Sequence, residues 1–254
     1  MIAKKAVVAG ATGSVGRLIV KTCVEDPRIE KVTAVVRRTV SSEKAEELWG
    51  VTADNSKLTQ LVVDYPSLTV YDAKLKEGFQ GCDAFLTALG VYSNNVNRAQ
   101  MEEAEVKYNS ILASVAHQAG AKRGSYLSGQ GVMQPKREGE SWVMFAQIKG
   151  QAEETLAEIF SAEHEAHVSV RPGGIFDRPG PPVYGFFDTL LAKWPLKKLK
   201  DTKYGISAPD IAQGMVQGAL FDDSKTVNGN IVWENNTIKE AARRYEAYFE
   251  QKGN

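Results

Sequence analysis

Histidine and cysteine are scarce in this chain, at three and two residues among 254. Two cysteines, Cys23 and Cys82, cannot build a disulfide framework or a four-thiolate zinc site. Cys23 falls on the apolar face of an expected helix, which makes it core filling. A charge excess is also missing, since 31 basic residues balance 31 acidic ones. Polyanion-binding chains carry a basic excess or a strongly basic face, so nucleic acid is not expected as the main partner. No run of about 18 apolar residues occurs, and the apolar part of residues 1–9 is too short for a secretion signal. The expectation is a soluble, cytoplasmic chain with no transmembrane segment. Proline (9) and glycine (22) are at ordinary levels, and 43% hydrophobic residues suffice for a substantial core.

What is present is a steady alternation of strand and helix. β-branched or apolar runs at 5–9 (KAVVA), 31–36 (KVTAVV), 58–63, 84–89, 125–128 and 167–170 predict six buried strands. Helical spacing recurs in Val15, Leu18, Ile19, Thr22 and Cys23, in a polar patch at 41–48, and over 100–118 and 142–160. Gly120 follows the third of these as a C-cap residue. Such alternation indicates a parallel sheet covered on both faces, with ligands at the carboxyl ends of the strands. After residue 174 the rhythm changes. A Pro/Gly-rich loop at 177–182, a short apolar helix near 186–191 and a basic stretch at 197–203 precede a helix at 208–221, a strand at 230–233 and a helix at 238–249. The expected organisation is one α/β domain over 1–254, a doubly wound parallel sheet, with 175–205 and 222–254 forming a small C-terminal substrate cap.

The first turn carries the strongest signal. Gly10-Ala11-Thr12-Gly13-Ser14-Val15-Gly16 lies between a strand and an amphipathic helix. Glycines there allow a tight turn, backbone approach to a pyrophosphate and close helix–strand contact, and the helix N-terminus favours the phosphates. This predicts a Rossmann dinucleotide site rather than an ordinary tight turn. Arg37-Arg38 ends the second strand where an NAD site usually places an acid. Arginine there suits a 2′-phosphate, which selects NADP(H); the same pair also fits a solvated surface.

The spacing Gly-x-x-Gly-x-x-Gly resembles the extended and atypical short-chain dehydrogenase/reductases, and the resemblance runs over nearly the whole chain. It implies that Asp64 contacts the adenine side, that Ala88-Leu89-Gly90 passes under the cofactor ribose, and that Pro172-Gly173-Gly174, after Arg171, stands beside the nicotinamide. It makes Ser128 the candidate that polarises the substrate and Lys149 the helical lysine that touches the ribose. Segment 206–212 (ISAPDIA) resembles a recurrent C-terminal helix entry. The segments GATGSVGR, VVRR, FQGCD, YLSGQG, IKGQAEE and VSVRPGGIFDRPG resemble the Tat-interacting-protein-like oxidoreductase branch most closely. In this superfamily the helices at 100–118 and 142–160 form the usual dimer face, so a monomer or homodimer is expected.

The resemblance breaks at one place. The family's proton donor is the Tyr of Tyr-x-x-x-Lys, and here that register reads Phe145-Ala146-Gln147-Ile148-Lys149. A phenyl ring has no ionisable oxygen, so it can neither protonate an alkoxide nor deprotonate an alcohol. Lys149 remains for acid–base work or for a ribose contact alone, and Ser128 either polarises a carbonyl or simply finishes a strand. Tyr126, which shares the face of Ser128, and Tyr92 and Tyr184 are the other possible proton donors. Glu163-His164-Glu165-Ala166-His167 invites a metal, but it precedes a strand, and no third histidine is suitably placed, so a solvated turn is expected and no metal. Residues 101–105 read as a solvated helix start, His117 as a cation near a helix C-terminus, and 197–203 as solvated surface. Phe176, Tyr184, Phe186, Phe187 and Trp194 give the cap either an apolar substrate pocket or a packed core. The expected function is an NADPH-dependent oxidoreductase acting on a small carbonyl or conjugated compound. The alternative is a non-catalytic NADP(H)-binding regulator or scaffold.

Overall fold

The computed structural model describes residues 3–91, 96–132, 144–179, 200, 202, 204–221 and 230–251. Seven strands form one parallel sheet: β1 (Lys4–Ala9), β2 (Ile29–Val36), β3 (Leu58–Val62), β4 (Ala84–Thr87), β5 (Arg123–Leu127), β6 (Ala166–Arg171) and β9 (Asn230–Glu234). Their order in the sheet is β3-β2-β1-β4-β5-β6-β9, so the winding reverses between β1 and β4. That reversal opens a crevice at the carboxyl ends of β1 and β4, the place where such sheets bind ligands. A separate two-stranded parallel sheet joins β7 (Gly174–Phe176) to β8 (Gly205–Ser207).

Helices cover both faces: α1 (Gly16–Glu25), α2 (Ser42–Trp49), α3 (Ala73–Phe79), α4 (Arg98–Glu102), α5 (Asn109–Gln118), α6 (Met144–Ile159), α7 (Ala208–Val216) and α8 (Asn235–Glu250). The strands are nearly continuous apolar runs because both sides of the sheet are dry. In β1, Val7 and Val8 point to opposite faces, as alternation requires, and each joins a different core cluster. Val8 packs with Ile19, Trp49 and Met215 on one side, while Val7 packs with Phe79, Leu112 and Phe160 on the other. Cys23 is fully buried in the first cluster, and burial raises its thiol far above the ordinary range. Cys82 is buried too, its thiol pushed up to about 12 by the same desolvation.

The six strands expected before residue 174 are present within a few residues of their predicted bounds, and helix α3 is added between β3 and β4. That helix is seven residues (AKLKEGF), too short to show a period, and Asp72 starts it by accepting from the Lys74 and Leu75 amides. The single helix expected over 100–118 contains a π turn, Glu103–Tyr108, between α4 and α5. Residues 222–254 were expected in the cap; of these, Asn230–Glu234 pair with β6 as the seventh strand of the main sheet. The expected helix near 186–191 and most of the basic stretch 197–203 lie outside the described residues. No described helix is long and apolar enough to cross a membrane.

The Glu163–His167 segment is not a uniformly solvated turn. Glu163 and His164 are exposed, but Glu165 is 2% exposed, accepts from Lys122 Nζ at 2.9 Å and hydrogen-bonds His117 Nε2 at 2.8 Å. His167 is 1% exposed and stacks on Phe160, and among the described residues neither ring nitrogen has a partner. Burial lowers its pKa from 6.5 to about 3. Unfolding therefore exposes an imidazole that takes up a proton below pH 6.5, and stability drains away as pH falls from there toward 3. Between pH 6.5 and 5 this one group costs about 2 kcal/mol, from roughly 1.4 kcal/mol per unit. Urea unfolding of wild type and His167→Leu at the two pH values checks this. Wild type should lose about that much more than the variant over the interval.

Candidate active site

The crevice is built from the turn outward. Gly10 adopts φ +71°, and a Cβ on it would stand 2.6 Å from the carbonyl carbon of Ala88 and from the amide of Leu89. Gly16 packs on Gly10 in turn, since a Cβ at Gly16 would stand 2.0 Å from the Gly10 oxygen. The turn is closed by the Gly13 amide donating to the Gly10 oxygen at 2.9 Å, and Trp49 Nε1 donates to the Ala11 oxygen at 2.9 Å from behind. Val15, at the start of α1, has no side-chain cap; the Arg17 and Leu18 amides already donate to the Gly13 and Val15 oxygens at 3.0 and 2.9 Å, so the amides left to meet an anion are those of the turn ahead of them.

The loop after β4 is stitched to α5. Thr87 Oγ1 donates to Asn109 Oδ1 at 2.6 Å and accepts from the Leu89 amide at 3.1 Å. Asn109 Nδ2 donates to the Leu89 oxygen at 3.1 Å. Glycine is required at 90 because a Cβ there would stand 2.3 Å from Glu105 Oε1. At the end of β5, the Ser128 amide donates to the Val170 oxygen at 2.8 Å. The Ser128 side chain is 6% exposed, and among the described residues its hydroxyl has no partner. After β6, the Gly173 amide donates to Asn235 Oδ1 at 3.0 Å and the Gly174 amide to the Tyr204 oxygen at 2.8 Å, which seats this segment beside α8 and β8. The Glu153 carboxylate beneath it binds Arg171 Nε at 2.9 Å and raises the guanidinium further above its ordinary range.

Helix α6 supplies two side chains four residues apart, Phe145 and Lys149, and both line the cleft. The Phe145 ring edge faces Gly129, where a Cβ would come within 2.7 Å of Cζ. Lys149 Nζ donates to Glu105 Oε2 at 2.9 Å, to the Tyr126 oxygen at 3.0 Å and to the Leu127 carbonyl at 3.0 Å. Tyr126 is fully buried, and its hydroxyl donates to Glu105 Oε2 at 2.7 Å. Desolvation first, and then the Glu105 charge, push its pKa well above 10.

These parts enclose a cleft of about 450 Å³. Gly13, Ser14, Val15, Ala88, Leu89, Gly90, Ser128, Lys149, Pro172, Gly173 and Gly174 all line it, so most of the sequence-nominated residues meet in one place. Gly10 and Gly16 shape the turn behind it. Thr12, Arg37, Arg38 and Asp64 are exposed and do not line the cleft; Arg37 and Arg38 directly follow β2 and Asp64 closely follows β3. Tyr126 touches Lys149 and not the cleft. Phe176 is buried, whereas Tyr92, Tyr184, Phe186, Phe187 and Trp194 lie outside the described residues.

Sequence reading missed Glu105, Gln130 and Arg178, all lining the cleft. Residues 101–105 are not a solvated helix start: Met101, Ala104 and Glu105 are buried. The usable signal was register. Met101, Glu105, Asn109, Leu112 and Ala116 follow one another at intervals of three or four, so the glutamate stands on the apolar stripe. Among the described residues no group of three His, Cys, Asp or Glu is placed to hold a metal.

A family model described as NAD(P)H-binding matches residues 10–221. Among solved structures, the chain resembles a short-chain dehydrogenase/reductase from Serratia marcescens, with TM-score 0.64 and 16% identity over 93% of this chain and 98% of that one. A UDP-glucuronic acid 4-epimerase from Bacillus cereus, in complex with NAD, aligns with TM-score 0.65 and 13% identity over 91% and 78%. A UDP-N-acetylglucosamine 4-epimerase from Methanobrevibacter ruminantium, in complex with UDP-N-acetylmuramic acid, aligns with TM-score 0.63 and 20% identity over 94% and 81%. At these identities the structures speak to the fold alone, a Rossmann-type parallel sheet.

Proposed function

The chain belongs to the NAD(P)H-binding family, and on that footing we propose that it is an NADPH-dependent oxidoreductase of the atypical short-chain dehydrogenase type, reducing a small carbonyl or conjugated compound. The observation that carries this reading is the cleft itself. A glycine turn at a helix start without a side-chain cap, a buried hydroxyl with no partner among the described residues and a lysine ammonium all line one cavity. Its volume lies within the roughly 300–1,000 Å³ of small-molecule sites.

A dinucleotide fits these residues. Amides of Ser14 and Val15 suit its pyrophosphate, because the approach to this backbone is not blocked by a side chain at Gly13. Arg37 and Arg38 are the cations for a 2′-phosphate, Asp64 lies on the adenine side, and Ala88–Gly90 and Pro172–Gly174 flank the ribose and nicotinamide. When bound, the cofactor supplies hydride. Ser128 Oγ, buried and without a hydrogen-bond partner among the described residues, polarises the carbonyl oxygen of the substrate. Lys149 delivers the proton that Phe145 cannot, since Tyr126 is shut behind it.

Fluorescence titration tests the cofactor half of the proposal. NADPH should bind more tightly than NADH, and Arg37→Ala should weaken NADPH about tenfold or more while hardly changing NADH, because a charge-assisted contact is worth about 1.5–3 kcal/mol. Equal affinities for the two cofactors would remove the 2′-phosphate assignment. A second reading, a cofactor-binding regulator without turnover, is favoured by Phe145 lining the cleft in the donor register. Tight NADPH binding with no oxidation of NADPH by any carbonyl is the outcome that belongs to it.

A further inference from the structure

The cleft wall holds a carboxylate that the reduction as described does not use. Glu105 sits in the π turn between α4 and α5, 1% exposed. π turns inside helices recur at functional sites, and a buried carboxylate persists only when it is paired and hydrogen-bonded. Glu105 is both. Oε2 accepts from Lys149 Nζ at 2.9 Å and from the Tyr126 hydroxyl at 2.7 Å, while Oε1 accepts from the Val91 amide at 3.2 Å. Lys149 closes the ring through the Tyr126 oxygen at 3.0 Å and spends its remaining donor on the Leu127 carbonyl. An ammonium has three N–H bonds, and all three are taken. Its position along the wall is thus dictated by its partners rather than by the four-carbon stem, which alone leaves Nζ free to swing.

Resting on the reductase reading, we propose that Glu105 is a positioning residue for this reaction, acting through Lys149 and Tyr126 to fix the ammonium from which the proton leaves. For the proton transfer Lys149 turns one N–H from the Leu127 carbonyl, which lines the cleft, to the alkoxide oxygen of the reduced substrate; that N–H bond breaks and an O–H bond forms, while Glu105 and Tyr126 keep the other two donors in place. Lysine is left as the neutral amine and regains its proton from water entering the cleft. The Glu105 carboxylate and the Tyr126 phenol end the cycle unchanged. Tyr126 is the ring's rigid member, locked in β5, and Glu105 is the member that also ties the loop at Val91 to the lysine.

Acetylation of the whole protein with acetic anhydride, followed lysine by lysine by mass spectrometry, reads this hold without needing a substrate. Wild-type Lys149 should be among the slowest to react. In Glu105→Gln it should react roughly fivefold or more faster, with Lys57 and Lys74 unchanged, because a charge-assisted partner is lost at one amine only. With an accepted carbonyl, kcat should fall about 10- to 100-fold while KM for NADPH stays within about threefold, and Glu105→Asp should recover part of kcat. Tyr126→Phe, which keeps the ring volume, should move labelling and kcat the same way by a smaller factor, and it serves if Glu105→Gln does not fold. A folded Glu105→Gln with Lys149 still slow to label overturns the proposal, as does faster labelling of every lysine, which marks a merely structural loss. Wild type that oxidises no NADPH with any carbonyl overturns the reductase reading instead, and the labelling then still decides what holds Lys149.

Discussion

Phe145→Tyr is expected to raise carbonyl reduction measurably, by less than the roughly 10²–10⁴-fold of a sole general acid, because Lys149 already delivers a proton in the wild type. The substitution adds one oxygen at Cζ, and the Phe145 ring edge already faces Gly129, next to Ser128 at the end of β5. Lys149 lies one helical turn away on the same face, with its ammonium 5.8 Å from the Phe145 ring centre. Because Cζ is the ring atom nearest Gly129, a phenol oxygen there reaches the substrate only when the ring turns from Gly129 into the cleft, where a fixed cation nearby favours its ionised form. Steady-state rates of NADPH oxidation with the carbonyls accepted by wild type measure the gain. A variant that folds, binds NADPH and gains nothing would show that the proton does not pass through this register.

Gly16→Ala is expected to be the most damaging single methyl among the described glycines. Its Cβ would fall 2.0 Å from the Gly10 oxygen and 2.7 Å from the Gly10 carbonyl carbon, both backbone atoms. Gly10 has nowhere to retreat, because its own α-carbon faces the Ala88–Leu89 peptide. Relief requires α1 to move off β1, which breaks the packing of Ile19 and Val20 in the core. A loss of about 3 kcal/mol or more, the upper end of overpacking costs, is expected because the clash is with backbone that cannot give. Gly13→Ala provides the contrast. Its Cβ would stand 3.2 Å from the Gly10 oxygen, so the fold should survive, but the methyl enters the space where a pyrophosphate would approach. Urea midpoints and NADPH titrations of the two variants should separate: Gly16→Ala loses stability, and Gly13→Ala loses affinity at nearly unchanged stability.

The parallel sheet was legible because its strands are buried on both faces. KAVVA and KVTAVV carry their assignment in composition alone, and the glycine turn between β1 and α1 fixes which end binds. The pairing of Phe145 with Lys149 followed from a spacing of four on one helix. Other features depended on long-range contacts that no local pattern records. Strands β7 and β8 have three residues each and pair across some thirty positions of chain, so neither shows a period. Glu105 looked solvated because acids cluster around it, and its neighbours Glu102 and Glu103 do face water at 40% and 44% side-chain exposure. Only the tertiary placement of Lys149 and Tyr126 explains why the third acid of that run turns inward. His167 was read both as the first residue of a strand and as the end of a solvated turn; the strand, which begins one residue before it, carries it into the core against Phe160.

The most direct test of the account is NADPH oxidation, followed by absorbance, across a panel of small aldehydes, ketones and conjugated carbonyls, with Lys149→Met run beside wild type. Wild type should reduce at least one compound in proportion to enzyme, and Lys149→Met, still folded, should lose that rate by about 10²-fold or more. A wild-type protein that binds NADPH and oxidises it with none of them, or a Lys149→Met variant as fast as wild type, would contradict it.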